Sequence, residues 1–337
     1  MSTFFFNNLV VNGIDPETYM ERFIVSVPHD QEFAFPSSLG NFSSTGNTTH
    51  DQFTSILDGD PVVLTYNNFT INAGHTVTTT NRCKGLYLNI LGDLTVNGTL
   101  SMTARGAKSA GKYIIIDKDN KRVYYNSSLD PSFDYSPYEI IGAIGGLAHT
   151  ARNLNGNPGV NGACGGGGCG HVGSASNCGF GGNGTSFSGG AGGGGKPSQS
   201  ASLSGNGGAN GGAGGAAATH GSYKVGGGAG NPGGSKTNGG TNGQDGTGGL
   251  MILFVKGNIT IGTNGSIQSN GSRGGNGYAA GGGSGAGAIH IFHRGSINDS
   301  SKITVTGGAG GLRQPTNGYP GTDGQVGGVG SLNIIKL

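Results

Sequence analysis

The sequence predicts a mainly β protein. Short strand repeats of the β-solenoid kind form its spine, and glycine-rich insertions pack beside them as a bundle of polyglycine II helices. Three observations lead there. Short β-branched runs bounded by Asn-Gly or Gly-Asp recur along the chain. Glycine supplies 75 of the 337 residues. Within the glycine tracts that residue returns every third position, the repeat of a helix with three residues per turn and of neither α-helix nor strand.

Composition removes the main alternatives. Collagen needs glycine in unbroken triplets with abundant proline, and only 11 prolines are present. Glycine at this density destabilises the helix and strand interiors of a conventional enzyme. Disordered chains carry high charge and few aliphatics, whereas this one is 33% hydrophobic and 11% charged. A formal net charge of +2 argues against nucleic acid as the main partner. No apolar run approaches the roughly 18 residues of a membrane helix, so no membrane insertion is expected. Phe4-Phe5-Phe6 is too short for a secretory signal, which predicts synthesis in a cytoplasm.

The chain divides in two. Residues 1–140 hold ten glycines, with nine Lys/Arg against fourteen Asp/Glu, net −5. Residues 141–337 hold the other 65, with ten Lys/Arg against only Asp245, Asp299 and Asp323, net +7.

Residues 1–60 read as an attachment module. Asp15-Pro16 caps a short helix running to Phe23, and Phe23–Val27 follows as a strand. Residues 61–103 carry closely spaced strand signals at Phe69–Ile71, Thr76–Thr78, Leu86–Leu91, Asp93–Val96 and Thr99–Met102. Residues 104–141 read as a β-hairpin insertion, with Tyr113–Ile116 and Arg122–Tyr125 around the turn Asp117–Lys121. The strand pattern then returns in 250–337. Leu250–Gln268 resembles Leu86–Met102, Ala288–Val305 follows the same outline, and Ser331–Leu337 supplies only its first strand.

Between these units lie a polyglycine II region at 142–249 and further insertions at 271–287 and 306–330. Gly156, Gly159, Gly162, Gly165 and Gly168 make one register; Gly318, Gly321, Gly324, Gly327 and Gly330 make another. A polyglycine II helix has no internal hydrogen bonds, so its backbone must bond to neighbouring helices. A face lined only by glycine admits a close neighbour. Gly165–Gly168 and Gly192–Gly195 are therefore expected inside the bundle, and Gly318–Gly330 at its edge.

Little in the chain suggests catalysis. A glycosidase needs two carboxylates flanking a cleft, and the three acids of the glycine-rich half are far apart in sequence. The acids at Asp117, Asp119, Asp130 and Asp134 read as a solvated surface. His290 and His293, three apart on a strand, point to opposite faces, which disfavours a shared metal. Cys164, Cys169, His171 and Cys178 have the ligand types for zinc at an unfamiliar spacing, with a disulfide or inert thiols as alternatives. No cofactor is expected.

The bulky interruptions of the tracts carry more information. Phe180, Phe187, Tyr223, Lys224, Tyr278, Leu312, Arg313 and Tyr319 stand among Gly, Ala, Asn and Ser. A bundle of small residues has no room for them inside, so most are expected at turns or on the outer surface, with the alternative that a given one caps the bundle end or packs against the β spine. Aromatic and cationic residues on turns over a rigid scaffold make a binding surface.

Glycine tracts in several registers, broken by aromatic turns and joined to a β module, resemble the polyglycine-sandwich adhesins at the tips of phage long tail fibres. The resemblance covers roughly residues 142–330 and is architectural. It implies a non-enzymatic virion protein that binds a host-cell surface protein or glycan through Phe180, Phe187, Tyr223, Tyr278 and Tyr319, to which the tract interruptions themselves add Lys224 and Arg313 as receptor-binding candidates. It also implies that residues 1–60 attach to other virion or fibre components. The alternative reading is a structural subunit of a fibre, filament or capsid decoration that forms homo-oligomers without binding a receptor.

Overall fold

The computed structural model describes residues 37–46, 53–108, 155–159, 164–168, 180–196, 207–219, 222–315 and 321–337, with Gly146 and the strands at 21–23, 113–117, 122–126 and 138–141. In chain order the strands are β1 (Glu21–Phe23), β2 (Phe42–Ser43), β3 (Val62–Tyr66), β4 (Phe69–Ile71), β5 (Thr76–Val77), β6 (Leu86–Ile90), β7 (Leu94–Val96) and β8 (Thr99–Ser101). They continue as β9 (Tyr113–Asp117), β10 (Arg122–Asn126), β11 (Tyr138–Ile141), β12 (Leu250–Val255), β13 (Ile259–Ile261), β14 (Ser266–Gln268), β15 (Ala288–His293), β16 (Ile303–Thr304) and β17 (Ser331–Lys336). Among the described residues helix is almost absent; a short 3-10 turn at Ser300–Lys302 is capped by Asp299.

Three parallel sheets take their strands in rotation. The first has the order β17-β15-β12-β6-β3, the second β13-β7-β4-β2, and the third β16-β14-β8-β5. Each circuit of chain gives one strand to each wall: β3, β4, β5, then β6, β7, β8, then β12, β13, β14. Equivalent residues stack in register, so Val62, Leu86, Met251, Ile289 and Leu332 share one row. The sequence likeness between Leu86–Met102 and Leu250–Gln268 is therefore a spatial adjacency: β12 pairs directly with β6 although the long glycine region intervenes.

A single core lies between the walls. Leu86, Leu88 and Ile90 meet Met251, Leu253 and Val255 from the first sheet. Phe69, Ile71, Leu94, Val96, Ile259 and Ile261 enter from the second, and Val77, Leu100, Ile267 and Ile303 from the third. Strands of the second wall read apolar-Thr-apolar because only one face is buried: the middle residues Thr70, Thr95 and Thr260 point away from the core. β12 and β15 are buried on both faces and accordingly read as unbroken apolar runs. Their second face forms another cluster, in which Tyr87, Leu250, Ile252, Phe254 and Phe292 meet Cys164 and Phe187 from the glycine region. At the β2 end, Phe42 stacks on Phe69 at 4.2 Å, with Phe53 and Tyr66 edge-on or tilted beside them.

The glycine segments bond to one another in a three-residue cycle. Gly282 and Gly285 donate to Gly193 and Gly190, Gly283 and Ala286 to Gln325 and Gly328, and Gly281 and Ser284 to Gly275 and Ser272. Six consecutive residues thus serve three neighbouring segments in turn. Gly165 and Gly168 likewise both reach the 283–286 segment, while Gly166 and Gly167 reach Asn157 and Gly182. Gly165–Gly168 and Gly192–Gly195 are buried throughout, whereas 321–330 is partly exposed. A Cβ at Gly281 would overlap the Gly227 carbonyl oxygen, so side chains are excluded where segments touch.

A fourth sheet is antiparallel, in the order β1-β10-β9-β11. Glu21–Phe23 pairs with β10 as a strand, so the helix expected to run to Phe23 does not include its last three residues. The rest of that helix, and Ile24–Val27, lie outside the described residues.

Candidate functional site

The bulky interruptions sort into three groups. One group converges at the end of the glycine segments. Val225 bridges Ala279, Ala279 bridges Thr322, and Gly277 bridges Arg313, all in parallel. These contacts bring Tyr223, Lys224, Tyr278, Leu312 and Arg313 to one place, although they lie on separate excursions of the chain. The rings of Tyr223 and Tyr278 sit 4.8 Å apart at 32°. The Tyr278 N–H donates to the Lys224 carbonyl at 2.5 Å, and Thr322 N–H to the Tyr278 carbonyl at 2.8 Å.

Backbone and side chains together fix the outer part of this end. Asn276 Oδ1 accepts the Leu312 N–H at 2.8 Å, and Asp323 Oδ1 accepts the Arg313 N–H at 2.7 Å. Gly321 has φ +72, and a Cβ there would meet the Tyr278 carbonyl oxygen, so glycine is required at this turn. Lys224, Arg313 and Asp323 are exposed, Tyr223 is half-buried, and Leu312 is 56% exposed. Two cations, an aliphatic side chain and an aromatic ring edge therefore share one surface held by a hydrogen-bonded frame.

Two candidates are buried rather than on the outer surface. Phe187 is 0% exposed and packs against the second face of the five-stranded sheet with Tyr87, Leu250 and Phe254. Tyr278 is 7% exposed, its ring covered by Tyr223. Phe187 follows the alternative expectation, that a bulky interruption packs against the β spine. The sheet offers a second apolar face, and Phe187 fills it. Phe180 is 41% exposed but stands apart, on a segment whose carbonyl accepts from Gly208. Tyr319 lies outside the described residues.

Cys164 is buried, and its Sγ faces the Ser186 carbonyl at 4.0 Å. Cys169, His171 and Cys178, the other members of the proposed ligand set, lie outside the described residues. His290 and His293 are both buried. Asn333 Nδ2 lies 3.2 Å from His290 Nδ1, and His293 Nδ1 lies 2.9 Å from the Gly295 carbonyl.

The acids with described side chains have structural partners. Arg82 donates twice to Asp58, at 2.6 and 3.0 Å, and Lys84 pairs with Asp60. Asp245 accepts the Gly233 N–H, Asp93 the Asn258 N–H, and Asp299 the Ser301 hydroxyl. That hydroxyl, with Lys302, holds the Asp299 carboxyl below its usual range.

Asn and Asp have a further role that strand patterning does not reveal. At the turn into the second wall, Asn41 Oδ1 accepts from Asn68 N–H, Asn68 Oδ1 from Asp93, Asp93 Oδ1 from Asn258, and Asn258 Oδ1 from Ser296. The signal was present: Gly-Asp, Gly-Asn and Gly-Ser stand before Leu94, Ile259 and Ile297 in successive repeats.

The fold and the site define a mainly β protein built on parallel sheets with an ordered glycine-rich layer. No family model matches the chain, and neither a curated protein nor a solved structure is significantly similar to it.

Proposed function

We propose that the protein is a virion adhesin that recognises a host-cell surface protein or glycan from the end of a rigid scaffold. In this reading the three walls are a β-solenoid, and the glycine layer is a polyglycine II bundle. Strand rotation among the walls supports the first. The three-residue cycle of hydrogen bonds supports the second, since a helix with three residues per turn presents its N–H groups to three neighbours in sequence.

The observation that carries the functional reading is the convergence of Tyr223, Lys224, Leu312 and Arg313 on one exposed end. Aromatic and Arg side chains are the residue types that concentrate binding energy. A backbone pinned by Asn276 and Asp323 loses little entropy when a partner docks. Tyr278 supports Tyr223 from below, Phe187 belongs to the core, and residues 1–60 attach the protein to the virion.

The test is pull-down on candidate host cells with the intact protein and with a variant carrying Tyr223→Ala, Lys224→Ala and Arg313→Ala. Cell binding that disappears in the variant, at an unchanged melting temperature, supports the reading. Equal binding by both proteins overturns this surface as the receptor site. Release of reducing sugar from host polysaccharide by the intact protein would indicate a depolymerase instead.

A further inference from the structure

Acids are scarce in the glycine-rich half. Residues 141–337 contain Asp245, Asp299 and Asp323 and no other carboxylate side chain. Asp245 accepts the Gly233 N–H, and Asp299 accepts from Ser301 and pairs with Lys302 at 3.3 Å, so both serve elsewhere in the fold. Of the three, Asp323 belongs to the end that carries Tyr223 and Arg313, where its Oδ1 accepts the Arg313 N–H at 2.7 Å.

Cations gather at that end. Val225 and Thr237 form an antiparallel bridge, each donating its N–H to the other's carbonyl, at 3.1 and 3.0 Å. Lys224 and Lys236 each adjoin a bridge residue and are cross-strand diagonal neighbours. The stem of Lys224 lies along the Asn238-Gly239 turn: its Cγ and Cε are 3.8 and 3.9 Å from where a Cβ would stand on Gly239. Ala279 pairs with Val225 and with Thr322, and Gly277 pairs with Arg313, so Arg313 and Asp323 join the same end. Lys224, Lys236 and Arg313 are all exposed. Three cations thus stand around the half-buried Tyr223 ring against one acid, and that acid already holds a backbone N–H.

We infer that the determinant recognised here is an acidic saccharide, a sugar ring bearing a carboxylate, sulfate or phosphate. This rests on the reading of this end as a receptor site and narrows protein or glycan to one chemistry. A sugar ring has an apolar C–H face and a polar rim. Tyr223 and Leu312 supply the apolar contact, and the tyrosine hydroxyl a polar one. The anionic group accepts from Arg313, whose planar fork engages two oxygens at once, and from the ammonium of Lys224 or Lys236. A neutral glycan uses none of these charges. The backbone of Leu312 and Arg313 is already fixed by Asn276 and Asp323, and a pyranose ring has little internal freedom to lose. That favours a saccharide over an acidic peptide, whose chain must be ordered on docking.

The test uses surface polysaccharide from host cells that the intact protein captures, freed of protein by protease and split on an anion-exchange resin into neutral and acidic fractions. The acidic fraction is expected to compete with cell capture, and the neutral fraction to leave it unchanged. Methyl esterification, desulfation or dephosphorylation of the acidic fraction should abolish the competition in one case and so identify the group recognised. A variant carrying Lys224→Ala, Lys236→Ala and Arg313→Ala should bind the acidic fraction at least about tenfold more weakly. Asp323→Asn keeps an acceptor for the Arg313 N–H and removes the acid, so it should tighten the same binding by roughly two- to fivefold, a gain that misfolding cannot mimic. Competition by the neutral fraction, by neither fraction, or by the peptides that protease releases overturns the acidic saccharide and leaves the receptor reading standing. So does an affinity that the triple variant leaves unchanged or that Asp323→Asn lowers. Host cells that the intact protein fails to capture overturn the receptor reading and this inference with it.

Discussion

Asp93 Oδ1 accepts the backbone N–H of Asn258 at 2.7 Å, across 165 residues of chain. Asp93 in turn donates its own N–H to Asn68, and Asn258 accepts from Ser296, so the same turn is tied to its equivalent in each successive circuit. The link at Asp93 is the one that spans the glycine region. It fixes the register with which the chain re-enters the stack at β12, after an excursion that carries its own hydrogen-bond network.

Asp93→Ala should therefore leave the Asn258 N–H without its partner and lower stability by about 1 kcal/mol, the usual net worth of such a bond. Asp93→Asn keeps an acceptor oxygen in place and should stay within a few tenths of a kcal/mol of the wild type. Urea titrations of the two variants decide this; equal losses would mean that the charge, and not the accepted hydrogen bond, matters here.

Much of this architecture is legible in the residues, and the limits are physical. Periods of two and three in the sequence reflect local backbone geometry, so the strands of 61–103 and 250–337 and the glycine registers can be read directly. What the pattern cannot carry is which segments become neighbours. Phe187 looks like an exposed interruption among Gly, Ser and Thr, yet it lies against Tyr87 and Leu250, residues far away in sequence. Tyr278 reads as a turn residue, yet the tilted ring of Tyr223 lies against it. Arg313 and Lys224 share a surface only because Gly277 and Ala279 each bridge a different segment.

The glycine layer predicts a sharp contrast between sites. At buried Gly281 a methyl group would meet the Gly227 carbonyl, which is backbone and cannot swing aside. Gly281→Ala should cost about 3 kcal/mol or more, at the upper end of what overpacking costs. Exposed Gly207 has only ordinary contacts at its Cβ position, with Phe180, so Gly207→Ala should be neutral or stabilise by about 0.5 kcal/mol through the unfolded chain. Thermal melts of both variants are the measurement, and a mild effect at Gly281 would refute close segment packing.

The two phenylalanines should separate in the same way. Phe187→Ala removes a fully buried ring from the second apolar cluster and should cost about 3–5 kcal/mol. Phe180→Ala, on an exposed side chain, should change stability by less than about 0.5 kcal/mol. If Phe187→Ala melts like the wild type, the ring does not seat against the sheet.

Asp58 should make stability depend on pH. Burial alone would raise its carboxyl, but the Arg82 hydrogen bonds, the Lys108 backbone N–H and the nearby positive charges outweigh it and hold the group below its ordinary value. A carboxyl depressed in the folded state contributes stability that is fully present above its unfolded value of about 4 and is lost as pH falls through the folded value. The pair is partly solvated, so the contribution should be on the order of 1 kcal/mol or less. Asp58→Asn should flatten unfolding free energy between about pH 4 and pH 2 relative to the wild type, and parallel curves for the two proteins would exclude the effect.

The last prediction concerns thiol chemistry. Cys83 and Cys164 are both buried and unbridged. Burial raises the Cys83 thiol, with its hydrogen bonds offsetting only part of the effect, and pushes the Cys164 thiol far up. The thiolate is the reactive form, so both should be inert in the folded protein at pH 8. A variant carrying Cys169→Ser and Cys178→Ser isolates the pair. Its native state should release no chromophore from an aromatic disulfide reagent over an hour, and the same sample in guanidinium should titrate two thiols at once. Rapid native labelling of one thiol would identify a site that opens locally, and loss of that reactivity on Cys164→Ser would place the opening at the contact between the glycine layer and the sheet.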